Sequence, residues 1–447
     1  MSRCSNIRVL SRKQEYVMTI KKCLLIGLFI IFSVVLYGCQ DKEQNDKNNL
    51  QQVADCKELM QQWNGQLASK QMTCWYTNES DKKWLEEQAK SFEKEYGIQV
   101  SIVFYDGMSF FEDLNKANQK GEGPDLYLLG NDQLQLAAQG GMANENAYFT
   151  EDFFVKQYPE IAKKAVTYQD KQYGYPIYFD TYCLVYDANL LQTAPASIDD
   201  ILAFLDEYED TGSTKAVFRW DVADPYINSM FFASYANLFG ENGDEPETFS
   251  VNNEKCVSAM EYYQSLSAYL WMNKSNISHE IIANRIKDGT LVLGLCKTDI
   301  LPVLLQSQSE KDAQDENGTN YQISYVPSLT SELSSTAFST TYSAFVNPYA
   351  NNDTAANMFG LYLSYFKAGQ QYEGNGKLPV VNQKDQFDET KQIIYAQYLN
   401  SKPVPKVTVL GDYLAESGIV FDKIWSGENA KEQLDTLQSI MQEKIKK

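Results

Sequence analysis

The chain has 447 residues, 44% of them apolar and 22% charged, and a formal net charge of −20. This is the composition of a globular protein long enough for two domains with separate cores. The acidic balance excludes nucleic acid or an anionic membrane surface as the main partner.

The first 38 residues read as a leader, not as part of the fold. Lys21-Lys22 precede fifteen uncharged, mostly apolar residues, "CLLIGLFIIFSVVLY", and then Gly38-Cys39. A basic stretch, an apolar stretch and a small residue before the cut make a secretory signal, and the run falls short of the roughly 20 apolar residues of a membrane span. An uncleaved single-span anchor is the alternative. Met18 begins a more compact signal than Met1, which leaves residues 1–17 as a mis-assigned start. "LYGC" resembles the bacterial lipobox, which makes Cys39 the lipidated mature N-terminus, with Tyr37 as a departure from its usual small residue. Residues 1–38 carry six Lys/Arg and one Glu, so their removal takes the charge from −20 to −25. "QDKEQNDKNNLQQ" after Cys39 has almost nothing to bury and reads as a tether. Leu50, Val53, Leu59, Met60, Trp63 and Leu67 then mark an amphipathic helix over 50–67.

From Lys70 strand and helix alternate. "QMTCWY" is a strand, and "DKKWLEEQAKSFEKEY" carries Trp84, Leu85, Ala89, Phe92 and Tyr96 at helical spacing, with Gly97 just past its end. "IQVSIVF" is a strand, "GMSFFEDLNKANQKG" a helix and "DLYLLG" a strand. This order predicts a mostly parallel sheet with helices on both faces, in which ligands bind outside the carboxyl ends of the strands. Asn78-Glu79-Ser80 and Asn131-Asp132 fall at that edge. Asp132 directly before the helix "LQLAAQ" reads as an N-cap, as a ligand contact, or as both.

A second block begins with a hairpin turning at Gln169-Asp170-Lys171 and running into a long strand through "YGYPIYFDTYCLVYD". "SIDDILAFLDEY" is a helix with Ser197 as N-cap and Asp200 three residues on. A strand near "TKAVFRW", a helix in "PYINSMFFASYANLFG", helices in "EKCVSAMEYYQSLSAYLW" and "SHEIIANRIKDG", and the strand "TLVLGLC" follow. Residues 308–320 are a solvated loop, "YQISYVPSLTSELSSTAFSTTYSAFV" is extended, "NDTAANMFGLYLSYF" is a helix, and the chain ends on an amphipathic helix from Ala430.

Cysteine and histidine usage excludes further classes. Cys56, Cys74, Cys183, Cys256 and Cys296 contain no C-x-x-C pair, so neither a disulfide framework nor a zinc site is indicated. A Ser-His-Asp or Cys-His site would rest on the single His279, and no G-x-S-x-G elbow is present. No catalytic residue, cofactor or metal site is assigned.

Four segments in order, "WLEEQAKSFEKEYGIQV" (84–100), "GPDLYLLGND" (123–132), "YGYPIYFDTYCLVYDANLL" (173–191) and "DPY" (224–226), carry a resemblance. From about Met72 onward the chain resembles the bacterial extracellular solute-binding proteins of the maltose/maltodextrin-binding type. The resemblance implies an α/β, two-domain periplasmic-binding-protein-like fold (type II) with three interdomain crossings, near Asp180, Thr341 and Asn400, and a ligand cleft between the domains. The first lobe is then 70–179 plus 342–400, the second 180–341 plus 401–447, and 39–69 the anchor, tether and helix. It also implies a monomer, held through the Cys39 lipid on the outer face of a Gram-positive cell membrane. Such a protein delivers a small-molecule ligand, a carbohydrate and specifically an oligosaccharide, to the permease subunits of an ABC importer.

By position, Asp132, Asp180, Asp224 and Tyr226 match ligand contacts of that family, Glu79 matches a loop that touches ligand, and Asn131 lies beside Asp132. Tyr76, Tyr105, Tyr178, Trp220, Tyr342 and Trp425 are the aromatic reserve, while Trp75 reads as core. A carboxylate accepts from two adjacent hydroxyls, and an aromatic face covers the apolar side of a sugar ring. Where maltodextrin binders place aromatics, this chain has Leu129 and Cys296-Lys297-Thr298. Two alternatives stand beside the carbohydrate reading: a polyamine binder of the same fold, because aromatics with several Asp residues suit an ammonium, and a secreted glycoside hydrolase using two carboxylates about 5–9.5 Å apart from among Asp132, Asp180 and Asp224. A surface adhesin is a third.

Overall fold

A computed structural model describes residues 56–107, 109–146, 153, 156–208, 215–300, 320–368, 376–382 and 387–446. The predicted signal (1–38), Cys39, the tether, the part of the predicted 50–67 helix before residue 56 and nearly all of the 308–320 loop lie outside the described residues. The chain divides into two compact units, Met1–Gln66 and Leu67–Lys447. In the first, residues 56–66 form helix α1, within the predicted 50–67.

The second unit opens on β1 (Gln71–Tyr76), α2 (Lys82–Tyr96), β2 (Gln99–Phe104), α3 (Phe110–Lys120) and β3 (Leu126–Gly130), as the alternating pattern predicts. Helix α2 buries Trp84, Leu85, Ala89 and Phe92 along one face. It stops at Gly97, whose φ of 70° is left-handed and free of a Cβ clash only for glycine. β1 pairs in parallel with both β2 and β3.

The sheet is mixed, not mostly parallel. Beside β3 lie two antiparallel strands, β11 (Phe338–Val346) and then β6 (Tyr175–Asp180), with the short β12 (Leu378–Pro379) at the edge. Ahead of β6, β4 (Thr167–Tyr168) and β5 (Lys171–Gln172) form the predicted hairpin, with Gln169 and Asp170 at φ 48° and 61° in its turn. A second sheet has the order β10 (Tyr321–Ser324), β7 (Tyr182–Asp187), β9 (Leu291–Lys297), β8 (Ala216–Arg219). The two sheets are the centres of the two lobes.

Three chain crossings join the lobes. The first is Thr181, between β6 of one sheet and β7 of the other, as expected near Asp180. Its hydroxyl donates to the Phe338 carbonyl (2.9 Å) and its N–H to Thr298 Oγ1 (3.2 Å). The second spans 325–337, since β10 ends at Ser324 and β11 begins at Phe338. That is earlier than the expected Thr341, which lies inside β11 opposite Phe179. The run of Ser and Thr through this stretch gives no period to mark the change. The third runs through β13 (Lys402–Pro403), which pairs with β11 at Phe338-Ser339.

Helix α11 (Glu389–Leu399), expected in the first lobe, packs on β7 and β10 of the second and also stacks Tyr398 on Phe179 at 3.9 Å. Just beyond it, the wholly buried Lys406 ties the crossing down. Its Nζ donates to the carbonyls of Lys164 and Thr167 beside α5 (Glu160–Val166) and lies 3.6 Å from Asp244. Burial lowers this ammonium to about 8.

The second lobe adds α6 (Ile198–Glu207), α7 (Pro225–Ser229), α8 (Glu254–Leu266), α9 (His279–Lys287), α12 (Leu410–Trp425) and α13 (Ala430–Ile445), and the first adds α4 (Leu134–Gln139) and α10 (Asp353–Leu361). Ser197 and Asp200 form the predicted capping box at α6. Cys74, Cys183, Cys256 and Cys296 are buried, with no disulfide among the described residues. Burial pushes the Cys183 thiol up to about 12, which suits an inert core thiol.

Candidate ligand-binding site

β3 delivers Asp132 to the junction of the lobes, but not as a helix cap. A 3-10 turn, Asn131–Gln133, intervenes before α4, and the cap position falls to Gln133 without a side-chain bond. Asp132 is half-buried, and its Oδ2 accepts from Gln133 Nε2 at 2.9 Å. Burial raises its pKa above the ordinary carboxylate range, and the bonds from Gln133 and its own backbone only partly oppose the rise. No lysine or arginine pairs with it among the described residues. A half-buried carboxylate that faces a cavity and has no lysine or arginine paired with it is poised to accept from a ligand.

Around it closes a cavity of about 180 Å³ lined by Asp132, Asp180, Tyr182, Tyr226, Lys297 and Tyr342, with Thr181, Phe338, Thr340 and Val404 completing the wall. The lining comes from both lobes and includes the first crossing, Thr181, with Phe338 and Val404 just past the second and third. Tyr342 stands on β11, its ring stacked on Tyr178 at 4.7 Å. The Tyr178 hydroxyl donates to the buried Asp81 at 2.6 Å, which fixes the stack from behind. Burial, with Asp180 and Asp132 nearby, pushes the Tyr342 hydroxyl well above its ordinary pKa, so it stays a neutral donor.

Asp180 ends β6 and is held by Lys377 at 2.7 Å, a cation from the first lobe, and by Thr298 Oγ1 of the second at 3.4 Å. Asp224 is the N-cap of α7, with Oδ1 accepting from the Tyr226 N–H at 2.9 Å. Its Oδ2 accepts from the Tyr182 hydroxyl at 2.8 Å and lies 3.5 Å from Lys297 Nζ. Both of its oxygens are thus engaged in placing Tyr226, Tyr182 and Lys297, and Asp224 is not among the lining residues. Lys297 also sits over the Tyr182 ring at 5.9 Å.

The structure therefore brings Asp132, Asp180, Tyr226 and Tyr342 together and sets Asp224 one layer behind them. Four predicted contacts fall elsewhere. Asn131 is wholly buried: its amide donates to the Val404 carbonyl at 2.7 Å and its oxygen accepts from the Thr341 N–H at 2.8 Å, so it clasps two chain segments. Trp220 is 0% exposed, with Nε1 donating to Asn228 Oδ1 at 3.0 Å. Trp425 packs edge-on against Trp220 at 5.5 Å and gives its N–H to the Met272 carbonyl. Trp220 belongs to the second-lobe core, and the half-buried Trp425 packs against it with its N–H already taken by protein. Glu79 is exposed on the 3-10 turn Glu79–Asp81, away from the lining. Tyr182, Lys297 and Lys377 were not predicted. Tyr182 had a signal, two residues past Asp180 in the same segment, whereas Lys377 lies 197 residues from the carboxylate it holds.

A larger cavity of about 470 Å³ lies against Glu160, Lys164, Asn237, Glu241, Leu399 and Lys402 and shares Phe338. Lys164 there meets Glu241 at 2.6 Å, and Lys402 donates to the Ala233 carbonyl. It gathers no comparable set of carboxylates and tyrosines, so the smaller cavity is the better candidate.

The family model described as bacterial extracellular solute-binding protein matches residues 87–383. A maltooligosaccharide ABC transporter solute-binding lipoprotein of Streptococcus pneumoniae is 22% identical over 450 residues, covering 95% of this chain and 97% of that protein. The maltodextrin-binding protein MdxE of Bacillus subtilis is 22% identical over 386 residues, covering 82% of this chain and 88% of its own. Among solved structures, a cyclo/maltodextrin-binding protein complexed with maltotetraose superposes with a TM-score of 0.73 at 18% identity, covering 85% of this chain and 98% of that one. At that identity the superposition speaks for the two-domain fold.

Proposed function

This chain belongs to the bacterial extracellular solute-binding protein family, and from that membership we propose that it captures a carbohydrate, an oligosaccharide, between its lobes and hands it to an ABC importer. The observation that carries this reading is the convergence of Asp132, Asp180, Tyr182, Tyr226 and Tyr342, from both lobes, on one cavity. Carboxylates accept from vicinal hydroxyls, neutral tyrosine hydroxyls donate to ring oxygens, and tyrosine faces cover C–H surface. A ligand touching both lobes favours their closed arrangement, the state a partner can distinguish. Lys297 replaces a stacking surface with a hydrogen-bond donor, so the bound ring at that wall is held by polar contacts.

The relatives named for maltooligosaccharide and maltodextrin binding support the carbohydrate class. Cys39 supplies the lipid anchor on the outer face of a Gram-positive membrane, and the permease subunits of the importer are the partners of the monomeric protein. Calorimetric titration of the purified chain with a panel of oligosaccharides, and separately with spermidine, tests the reading. Saturable binding of at least one saccharide is expected. Binding of spermidine with no response to any saccharide overturns it.

A further inference from the structure

Arginine occurs five times in the sequence, and only Arg219 and Arg285 lie beyond residue 12. The fold brings these two together. Arg219 ends β8, the edge strand of the second sheet, in register with Gly294 of β9. Register neighbours point to the same face of a sheet. A Cβ on Gly294 would meet the Ile282 side chain of α9 at 3.4 Å, so Arg219 emerges on the face that α9 covers. Arg285 follows Ile282 by three residues and so lies on the same side of that helix. Both arginines are half-buried. Burial, with the Arg285 guanidinium adding to it, holds Arg219 below the ordinary guanidinium range.

The chain carries 59 acidic side chains, yet among the described residues neither guanidinium meets a carboxylate or an aromatic face. The side-chain partner of Arg219 is the neighbouring Phe218 carbonyl, which accepts from Nη1 at 2.7 Å. Two like charges near enough to perturb one another and partly desolvated repel each other, and an anion between them reverses the sign. Arginine, in a chain that otherwise uses lysine, supplies the planar fork that grips an oxyanion through paired N–H groups.

We propose that Arg219 and Arg285 form an oxyanion site at the edge of the second sheet, separate from the ligand cavity, that takes a phosphate or sulfate group. The group is either a free ion or a phospholipid headgroup, and two measurements on the full chain separate these sources. In the first, thermal unfolding is followed against added phosphate and sulfate, with chloride at matched ionic strength as reference. In the second, co-sedimentation is measured with phosphatidylcholine vesicles with and without phosphatidylglycerol. Wild-type protein is expected to show a saturable rise in its midpoint, or retention by the anionic vesicles only. Arg219→Gln and Arg285→Gln each weaken the response by about tenfold or more, the loss of one charge-assisted contact. In chloride alone Arg285→Gln unfolds no earlier than wild type, because it removes repulsion and no internal bond. A phosphate response without vesicle retention assigns a free ion, and vesicle retention alone assigns a headgroup. Equal responses of wild type and the double variant in both measurements would overturn the proposal, as would earlier unfolding of Arg285→Gln in chloride.

Discussion

Replacing Asp132 by Asn separates the demands of binding from those of folding. The carboxylate is half-buried, carries no cation partner among the described residues, and keeps one oxygen on Gln133. Exchanging a charged acceptor for a neutral amide at a ligand hydroxyl costs about 1.5–3 kcal/mol, a factor of roughly 10–150 in affinity. Stability moves the other way. A carboxylate whose pKa is raised by burial takes up a proton more readily folded than unfolded, so its charge opposes folding at neutral pH. That penalty is relieved as the pH falls through the raised pKa toward the ordinary one. Asp132→Asn is therefore expected to bind ligand at least tenfold more weakly yet unfold later than wild type at pH 7, with the stability advantage shrinking under acid. Wild-type affinity should also fall on acidification as Asp132 is neutralised, while the variant loses that component. Calorimetric titration and urea unfolding at pH 7 and 5 provide both readouts. Normal binding by the variant would place Asp132 outside the ligand contacts, and lower stability than wild type at pH 7 would show that its charge does not oppose folding.

Asn131→Ala leaves the Val404 carbonyl and Thr341 N–H without their buried partner and should cost about 2–5 kcal/mol in urea unfolding; a loss below 1 kcal/mol would deny the clasp. Trp220→Ala empties a fully buried site and should destabilise by about 3–5 kcal/mol, while the protein that remains folded keeps its ligand affinity in a titration at low temperature. Lys377→Met strips Asp180 of its 2.7 Å partner and is expected to cost about 3–5 kcal/mol as well as ligand affinity; a variant as stable as wild type would show the pair to be dispensable. Lys406, held at about 8 when folded, binds fewer protons than in the unfolded chain above that pH. Wild type should therefore gain stability relative to Lys406→Met as the pH rises from 8 toward 10, and parallel pH profiles would contradict this.

Most of the first lobe was readable because its elements repeat simple periods. Trp84, Leu85, Ala89 and Phe92 mark the face of α2, Gly97 its end, and the "DLYLLG" run its buried strand. Helices α11 and α12 were not. α11 touches both sheets and buries Gln397 alongside Ile394, Tyr395 and Tyr398, so no polar face stands clearly against its apolar one. α12 contains Gly411, Ser417 and Gly418, which lower local helix propensity, and packing on α7, α8 and α13 sustains it.

The site was half visible. Asp132, Asp180 and Tyr226 sit at strand or helix ends where sequence order places them. The cap at Asp132 failed because a 3-10 turn interposes, and residue type alone does not fix the backbone of a short elbow. Aromatic residues were the least readable class. Tyr342 and Trp220 look alike in sequence, and only the packing of Phe218, Phe231, Tyr263 and Trp425 around the indole decides that Trp220 belongs to the core.

A crystal structure of the complex with a saccharide selected by titration would show whether ligand is held between the lobes by groups from both. A sugar ring is expected in the 180 Å³ cavity, with Asp132 and Asp180 accepting from its hydroxyls and Tyr342 or Tyr226 against its face. Density for the saccharide in the larger cavity beside Lys164 and Glu241, or on one lobe alone, would contradict it.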